Sequence, residues 1–93
     1  MIRWTRTAIR HLEQIHDKIA VDQPLAAAKQ CRLVYEAVQN LEAFPLLGEI
    51  TTAPHDRRVS VSGTPYLVYY RVTPAAIYIR AVWHSARLPP SLH

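Results

Sequence analysis

The sequence has few of the residues that build common phosphate, disulfide and metal sites. It contains two glycines, Gly48 and Gly63, and one cysteine, Cys31. Two isolated glycines exclude a glycine-rich loop that wraps a phosphate with backbone amides, and a single cysteine excludes an internal disulfide. Cys31 falls in the apolar stripe of a predicted helix, where packing is the usual role of a free cysteine.

Long apolar runs and metal-binding spacings are also missing. No run approaches the roughly 18 apolar residues that a membrane-spanning helix needs, and the N-terminus lacks the apolar stretch of a secretion signal. No Cys/His or Asp/Glu cluster has zinc-like spacing. We therefore expect a cytoplasmic protein with no membrane contact, no metal and no cofactor. The length suits one compact domain, residues 1–93.

Acidic residues are absent from the last two fifths of the chain. Residues 1–56 carry six Lys/Arg and seven Asp/Glu, a net charge of −1, whereas residues 57–93 carry five arginines and no acid, a net charge of +5. This excludes catalysis by paired carboxylates in the second part. The asymmetry indicates an anionic partner, either a nucleic acid or an acidic polypeptide. The alternative is a basic protein that scattered arginines keep soluble.

The first half of the chain has helical periodicity. Thr5 or Thr7 can cap a helix near 6–20, whose apolar residues recur at spacings of four and three. Asp22 is expected to cap a second helix, near 23–43, with a proline in its first turn. The short link between the helices predicts an antiparallel hairpin.

The second half is rich in β-branched and aromatic residues, as strands are. We predict three antiparallel strands near 57–62, 65–72 and 76–83, with short strands at 2–4 and near 49–52. Proline-containing turns separate the three longer strands. A helical hairpin followed by a β-meander predicts an α+β fold, in which the helices cover one face of a small, mainly antiparallel β-sheet.

Arginine and aromatic residues remain as candidates for function. Arg71 and Arg80 lie on adjacent predicted strands among tyrosines, which suits nucleic-acid backbones and bases. The alternative is that the aromatic rings pack and the arginines are solvated. At the end of the last strand, His84 could titrate near neutral pH and Arg87 could hold a phosphate or carboxylate. Both could instead hold the C-terminal tail.

Several motifs follow one another in an order that resembles a known family. They are Pro24-Leu25-Ala26-Ala27, Leu41-Glu42-Ala43-Phe44-Pro45 with Gly48 after it, Arg58-Val59-Ser60-Val61, Gly63-Thr64-Pro65-Tyr66-Leu67-Val68-Tyr69-Tyr70-Arg71-Val72, Ile77-Tyr78-Ile79 and Val82-Trp83-His84-Ser85-Ala86-Arg87. Together they resemble the RelE/ParE superfamily of type II toxin–antitoxin systems, nearest its ParE branch. The resemblance implies a helical hairpin on an antiparallel sheet. It also implies a cognate antitoxin, ParD-like or otherwise acidic, whose own N-terminal domain binds operator DNA.

The superfamily divides by mechanism. RelE-like members cleave mRNA on the ribosome with basic residues and usually a C-terminal tyrosine, whereas ParE-like members poison DNA gyrase. Here Leu67 stands where the nucleases carry an arginine, no tyrosine follows Arg87, and the connection 48–56 carries no lysine. These departures favour the ParE-like action.

We therefore predict a growth-inhibiting toxin that acts on DNA gyrase and is neutralised by its antitoxin. Its expected partner-binding residues are Arg58, Arg71, Arg80, His84 and Arg87. If the protein is instead a ribosome-dependent endoribonuclease, Arg71, Arg80, His84 and Arg87 are the expected catalytic residues. A third hypothesis is an inactive remnant that only helps its antitoxin bind operator DNA.

Overall fold

The computed structural model describes residues 1–53 and 55–92, which form a helical hairpin packed on one β-sheet. The elements in chain order are β1 (Ile2–Trp4), α1 (Arg6–Ala20), α2 (Pro24–Asn40), β2 (Glu49–Ile50), β3 (Asp56–Ser60), β4 (Tyr66–Val72) and β5 (Ile77–His84). The strands lie in the order β1-β5-β4-β3-β2, with β1 parallel to β5 and every other pair antiparallel. The predicted α+β fold is confirmed.

Thr5 fixes the start of α1 and its position on the sheet. Its hydroxyl oxygen accepts a hydrogen bond from the Ala8 amide at 3.2 Å, which caps the helix. The same hydroxyl donates to the Ile79 carbonyl at 2.7 Å. One side chain therefore both begins the helix and ties it to β5.

The second helix differs from the prediction at both ends. Asp22 is not its cap, because the Asp22 amide bonds to the Ile19 carbonyl and so belongs to the end of α1. The residue before α2 is Gln23, whose side chain makes no capping bond. At the other end, the α-helix ends at Asn40, and the Leu41 amide bonds to the Val38 carbonyl three residues back. The predicted extension to residue 43 was wrong, although Leu41 still packs in the core.

The core lies between the helices and one face of the sheet. It includes the fully buried side chains of Val34, Val38, Leu41, Val68, Tyr70 and Ile79. Among the described residues, no helix is long and apolar enough to cross a membrane.

Tyr70 reaches through this core to hold the segment that leads into β2. Its hydroxyl accepts a hydrogen bond from the Gly48 amide at 2.8 Å and donates to the Pro45 carbonyl at 2.9 Å. A Cβ atom at Gly48 would lie 2.6 Å from the Arg58 carbonyl and 2.7 Å from the Tyr70 hydroxyl. Only glycine fits without a shift of the backbone, so the segment is held closely against β3.

A β-bulge interrupts the pairing of β4 with β5. Tyr69 pairs with Ala81 and Tyr70 pairs with Ile79, so Arg80 is the extra residue of the bulge. Bulges re-aim a side chain relative to regular alternation. The bulge accordingly lets Arg80 reach β3 from β5, two strands away.

Candidate functional site

A buried carboxylate lies among the arginines of the sheet. Asp56 is 1% exposed, and each of its oxygens has its own arginine partner. Oδ1 accepts from Arg71 Nε at 2.9 Å, and Oδ2 accepts from Arg80 Nη1 at 2.7 Å. The register pairs Asp56 directly with Arg71, and the bulge supplies Arg80. Two charge-assisted bonds compensate the removal of this charge from water.

This carboxylate lies one residue before the predicted strand 57–62. The strand β3 begins at Asp56, so the sheet contains an acid that the predicted bounds leave out. Aspartate is depleted in strands, so the pattern alone favours a loop at this position. Residues 56–93 carry five arginines and one aspartate, a net charge of +4. The two partners of Asp56 lie 15 and 24 residues further along the chain, beyond the reach of local spacing.

Three of the five predicted site residues therefore gather on the sheet face away from the core. Arg71 and Arg80 hold Asp56, with side chains 37% and 15% exposed. Arg58 lies two residues after Asp56 on β3, is 40% exposed, and has Glu49 4.0 Å away. Part of the C-terminal tail, Pro89 and Pro90, lines a cavity of about 210 Å³ with Asp56 and Arg58.

The other two predicted residues, His84 and Arg87, lie at the end of β5 around Trp83. The Arg87 guanidinium lies over the Trp83 ring, 4.2 Å from its centroid, in cation–π geometry. The Trp83 indole N–H donates to the Leu88 carbonyl at 2.7 Å. The segment 83–87 thus forms a cluster that also holds the first residue of the tail.

Both histidines of this region use one ring nitrogen to accept a backbone N–H. His84 Nδ1 accepts from the Ala86 amide at 3.1 Å, and His11 Nδ1 accepts from the Val82 amide at 3.3 Å. The neutral form of each ring therefore carries its proton on Nε2. His84 also makes an edge-on contact with Tyr66, with ring centroids 5.6 Å apart.

His11 also belongs to this region, although it is not among the predicted site residues. Its ring centroid lies 5.2 Å from that of Trp83. Burial, and then the positive charges of Arg10 and Arg87, lower the pKa of His11. Its spacing in the sequence could have identified it. His11 lies three residues after Ala8 and four before Ile15, which indicates the sheet-facing side of α1.

No group of three His, Cys, Asp or Glu side chains among residues 1–53 and 55–92 is arranged to hold a metal ion. Cys31 is half-buried, and burial raises the pKa of its thiol. Cys31 therefore belongs to neither of the two clusters around Asp56 and Trp83.

Comparison with known proteins identifies the family. The model of the ParE toxin of type II toxin–antitoxin systems, parDE, matches residues 2–89. Toxin RelE2 of Caulobacter vibrioides is 33% identical over 85 residues, which cover 91% of this chain and 94% of that protein. A chain in the solved structure of the chromosomal ParDE TA system from P. aeruginosa superimposes with a TM-score of 0.81 at 27% identity, covering 89% of this chain and 92% of the other. The resemblance found in the motifs is confirmed, and the chain belongs to the ParE toxin family of type II toxin–antitoxin systems.

Proposed function

We propose that the protein inhibits growth by acting on DNA gyrase in the cytoplasm and that a cognate antitoxin neutralises it. The match to a ParDE system supports the antitoxin partner, and the excess of arginine over acid in residues 56–93 suits an acidic antitoxin segment. The toxin would then reach operator DNA indirectly, through the antitoxin's DNA-binding domain.

The Asp56 cluster is the observation that favours gyrase over mRNA cleavage. A ribonuclease needs cations that stabilise the negative charge developing on the phosphate, besides an acid and a base. Arg71 and Arg80 are two of the four groups expected in a nuclease, and both donate to the buried Asp56 carboxylate. An arginine that is already paired with a carboxylate stabilises a developing negative charge less than an arginine without such a partner does. Leu67, where the nucleases carry arginine, offers no charged group at all.

The proposed partner-binding set remains Arg58, Arg71, Arg80, His84 and Arg87, divided into two parts. The first three surround Asp56 on the sheet face, and the last two lie beside Trp83. An exposed ion pair contributes only about 0–1 kcal/mol. Binding by this surface would therefore depend on several arginines together rather than on one.

The test combines two reactions with the purified protein. One follows supercoiling by DNA gyrase, and the other follows a synthetic mRNA translated on ribosomes. We expect lost supercoiling or trapped cleaved DNA with intact mRNA. We expect a weaker effect from the variant with both Arg58→Gln and Arg87→Gln, and an unchanged effect from Arg32→Gln, whose side chain lies on α2, outside the proposed partner-binding set.

Two results would contradict the proposal. Cut mRNA with unimpaired gyrase would identify a RelE-like nuclease and make His84 and Arg87 candidate catalysts. No effect in either reaction, with no growth defect on expression without antitoxin, would identify an inactive remnant that serves only as the antitoxin's partner.

A further inference from the structure

A groove runs between α1 and the end of β5. It encloses about 550 Å³, which is within the range of small-ligand pockets. Ile15 of α1 and Val82 of β5 supply apolar surface. The groove is also lined by His11, Lys18, Tyr66, Trp83, His84 and Arg87.

The polar groups of the groove are mostly hydrogen-bond donors. Lys18 and Arg87 are cations, and none of the described lining residues is acidic. His11 and His84 each use Nδ1 to accept a backbone N–H, so each neutral ring has its N–H at Nε2. Donors from a helix, a strand and the turn that follows it therefore line one groove, with no carboxylate among its described lining residues. An anion is the ligand that this set can satisfy.

The groove is also preorganised on one side. The Arg87 guanidinium is stacked on Trp83, and the Trp83 indole N–H is bonded to the Leu88 carbonyl. Stacking restricts the rotamers of a long side chain before a ligand arrives, which reduces the entropy lost on binding.

We propose that this groove binds the phosphate of a mononucleotide. Lys18 and Arg87 take the phosphate oxygens, His11 and His84 donate through Nε2, and the nucleobase lies against Tyr66 and Val82. A phosphate offers more acceptor oxygens than a carboxylate, which suits a groove lined by several donors. The aromatic and apolar wall suits a planar base, and the volume suits one nucleotide. This site would serve the protein in addition to any action on gyrase.

Isothermal titration of the full chain with adenosine monophosphate, adenosine and inorganic phosphate tests the proposal. We expect saturable binding of adenosine monophosphate, at least about tenfold tighter than either half of the molecule, because the two parts of the site act together. Lys18→Gln and Arg87→Gln should each weaken it by about tenfold, the loss of one charge-assisted hydrogen bond. Lys29→Gln, an exposed lysine on α2 outside the groove, is the matched control and should bind as the unmodified protein does. Circular dichroism of each variant checks that it is folded.

Three results would overturn the proposal. The first is that adenosine and adenosine monophosphate bind with equal affinity, or that neither of them binds. The second is binding of a short oligo-glutamate peptide, with no binding of adenosine monophosphate, which would make the groove a carboxylate site. The third is tight binding of a single-stranded oligonucleotide that Lys18→Gln and Arg87→Gln leave unchanged, which would place nucleic-acid binding outside the groove.

Discussion

At Asp56, one buried carboxylate satisfies two arginines from different strands, and this residue should matter for stability more than for binding. Asp56→Asn removes the negative charge that Arg71 and Arg80 share. We expect the free energy of unfolding to fall by about 3 kcal/mol, the lower end for breaking a buried pair, because Arg71 is 37% exposed and regains some water. Urea denaturation followed by circular dichroism measures the change.

The matched control for Asp56→Asn is Glu49→Gln. It removes the same charge from a side chain that is 76% exposed and 4.0 Å from its arginine. We expect the free energy of unfolding to change by less than about 1 kcal/mol. Equal losses in the two variants would show that burial of Asp56 has no special energetic role.

His11 should make stability depend on pH. Because burial and two neighbouring arginines lower its pKa in the folded protein, the unfolded chain binds the proton more readily. This stabilising contribution is therefore present above the ordinary histidine pKa of 6.5 and decreases as the pH falls below it. Between pH 7 and pH 5, we expect the free energy of unfolding of His11→Gln to decline less than that of the unmodified protein.

Glutamine suits this test because its amide oxygen can still accept the Val82 N–H but does not titrate near neutral pH. His16→Gln, at an exposed histidine on the same helix, is the control for the loss of an imidazole from α1. An identical decline in all three proteins would show that His11 does not cause the pH dependence of the free energy of unfolding.

At the scale of elements, the Tyr70 hydroxyl joins the strand β4 to the segment that precedes β2. Tyr70→Phe leaves the ring in the core but removes the acceptor for the buried Gly48 amide and the donor to Pro45. We expect a loss of about 2 kcal/mol in the free energy of unfolding, since a buried polar group is left unsatisfied. Hydrogen exchange should show earlier opening of the Gly48 amide than of the amides in α2.

Tyr35→Phe is the control for Tyr70→Phe. Tyr35 lies on α2 and is 53% exposed, so its hydroxyl can bond to water in both the folded and the unfolded chain. Its substitution should change the free energy of unfolding by less than about 0.5 kcal/mol. A loss as large as that of Tyr70→Phe would mean that the bonds to Gly48 and Pro45 are not the cause.

Elements set by local pattern could be predicted, and those set by distant partners could not. The repeat of apolar residues identified α1, and β-branched content identified β4 and β5. The end of α2 was placed too late because Leu41 continues the apolar spacing after the helical backbone has ended. The cluster around Asp56 was missed because its partners come from β4 and from a bulge in β5. His84 and Arg87 could be selected from the sequence, but their relation to His11 depends on how α1 packs on the sheet.

At the scale of the whole molecule, the arginines of the proposed partner-binding set differ in how far their charges are exposed to solvent. Arg80 is largely buried and Arg71 shares the Asp56 carboxylate, whereas Arg58 retains 40% of its side-chain surface and Arg87 is exposed. Exposed charges are screened by salt, while buried pairs are screened much less. The binding of an acidic antitoxin should therefore depend on salt mainly through Arg58 and Arg87, and the fold should depend on salt much less.

The affinity for the antitoxin, measured by calorimetry in 0.1 M and 1 M salt, tests this division. At 0.1 M salt, the variant with both Arg58→Gln and Arg87→Gln should bind roughly tenfold more weakly, since two exposed pairs contribute up to about 1 kcal/mol each. At 1 M salt, where the screening length falls to about 3 Å, the variant and the unmodified protein should bind alike. Arg32→Gln, on α2 and outside the proposed partner-binding set, should match the unmodified protein at both salt concentrations. A difference between the double variant and the unmodified protein that persisted at 1 M salt would mean that the two arginines act through packing, as Arg87 does on Trp83, rather than through their charge.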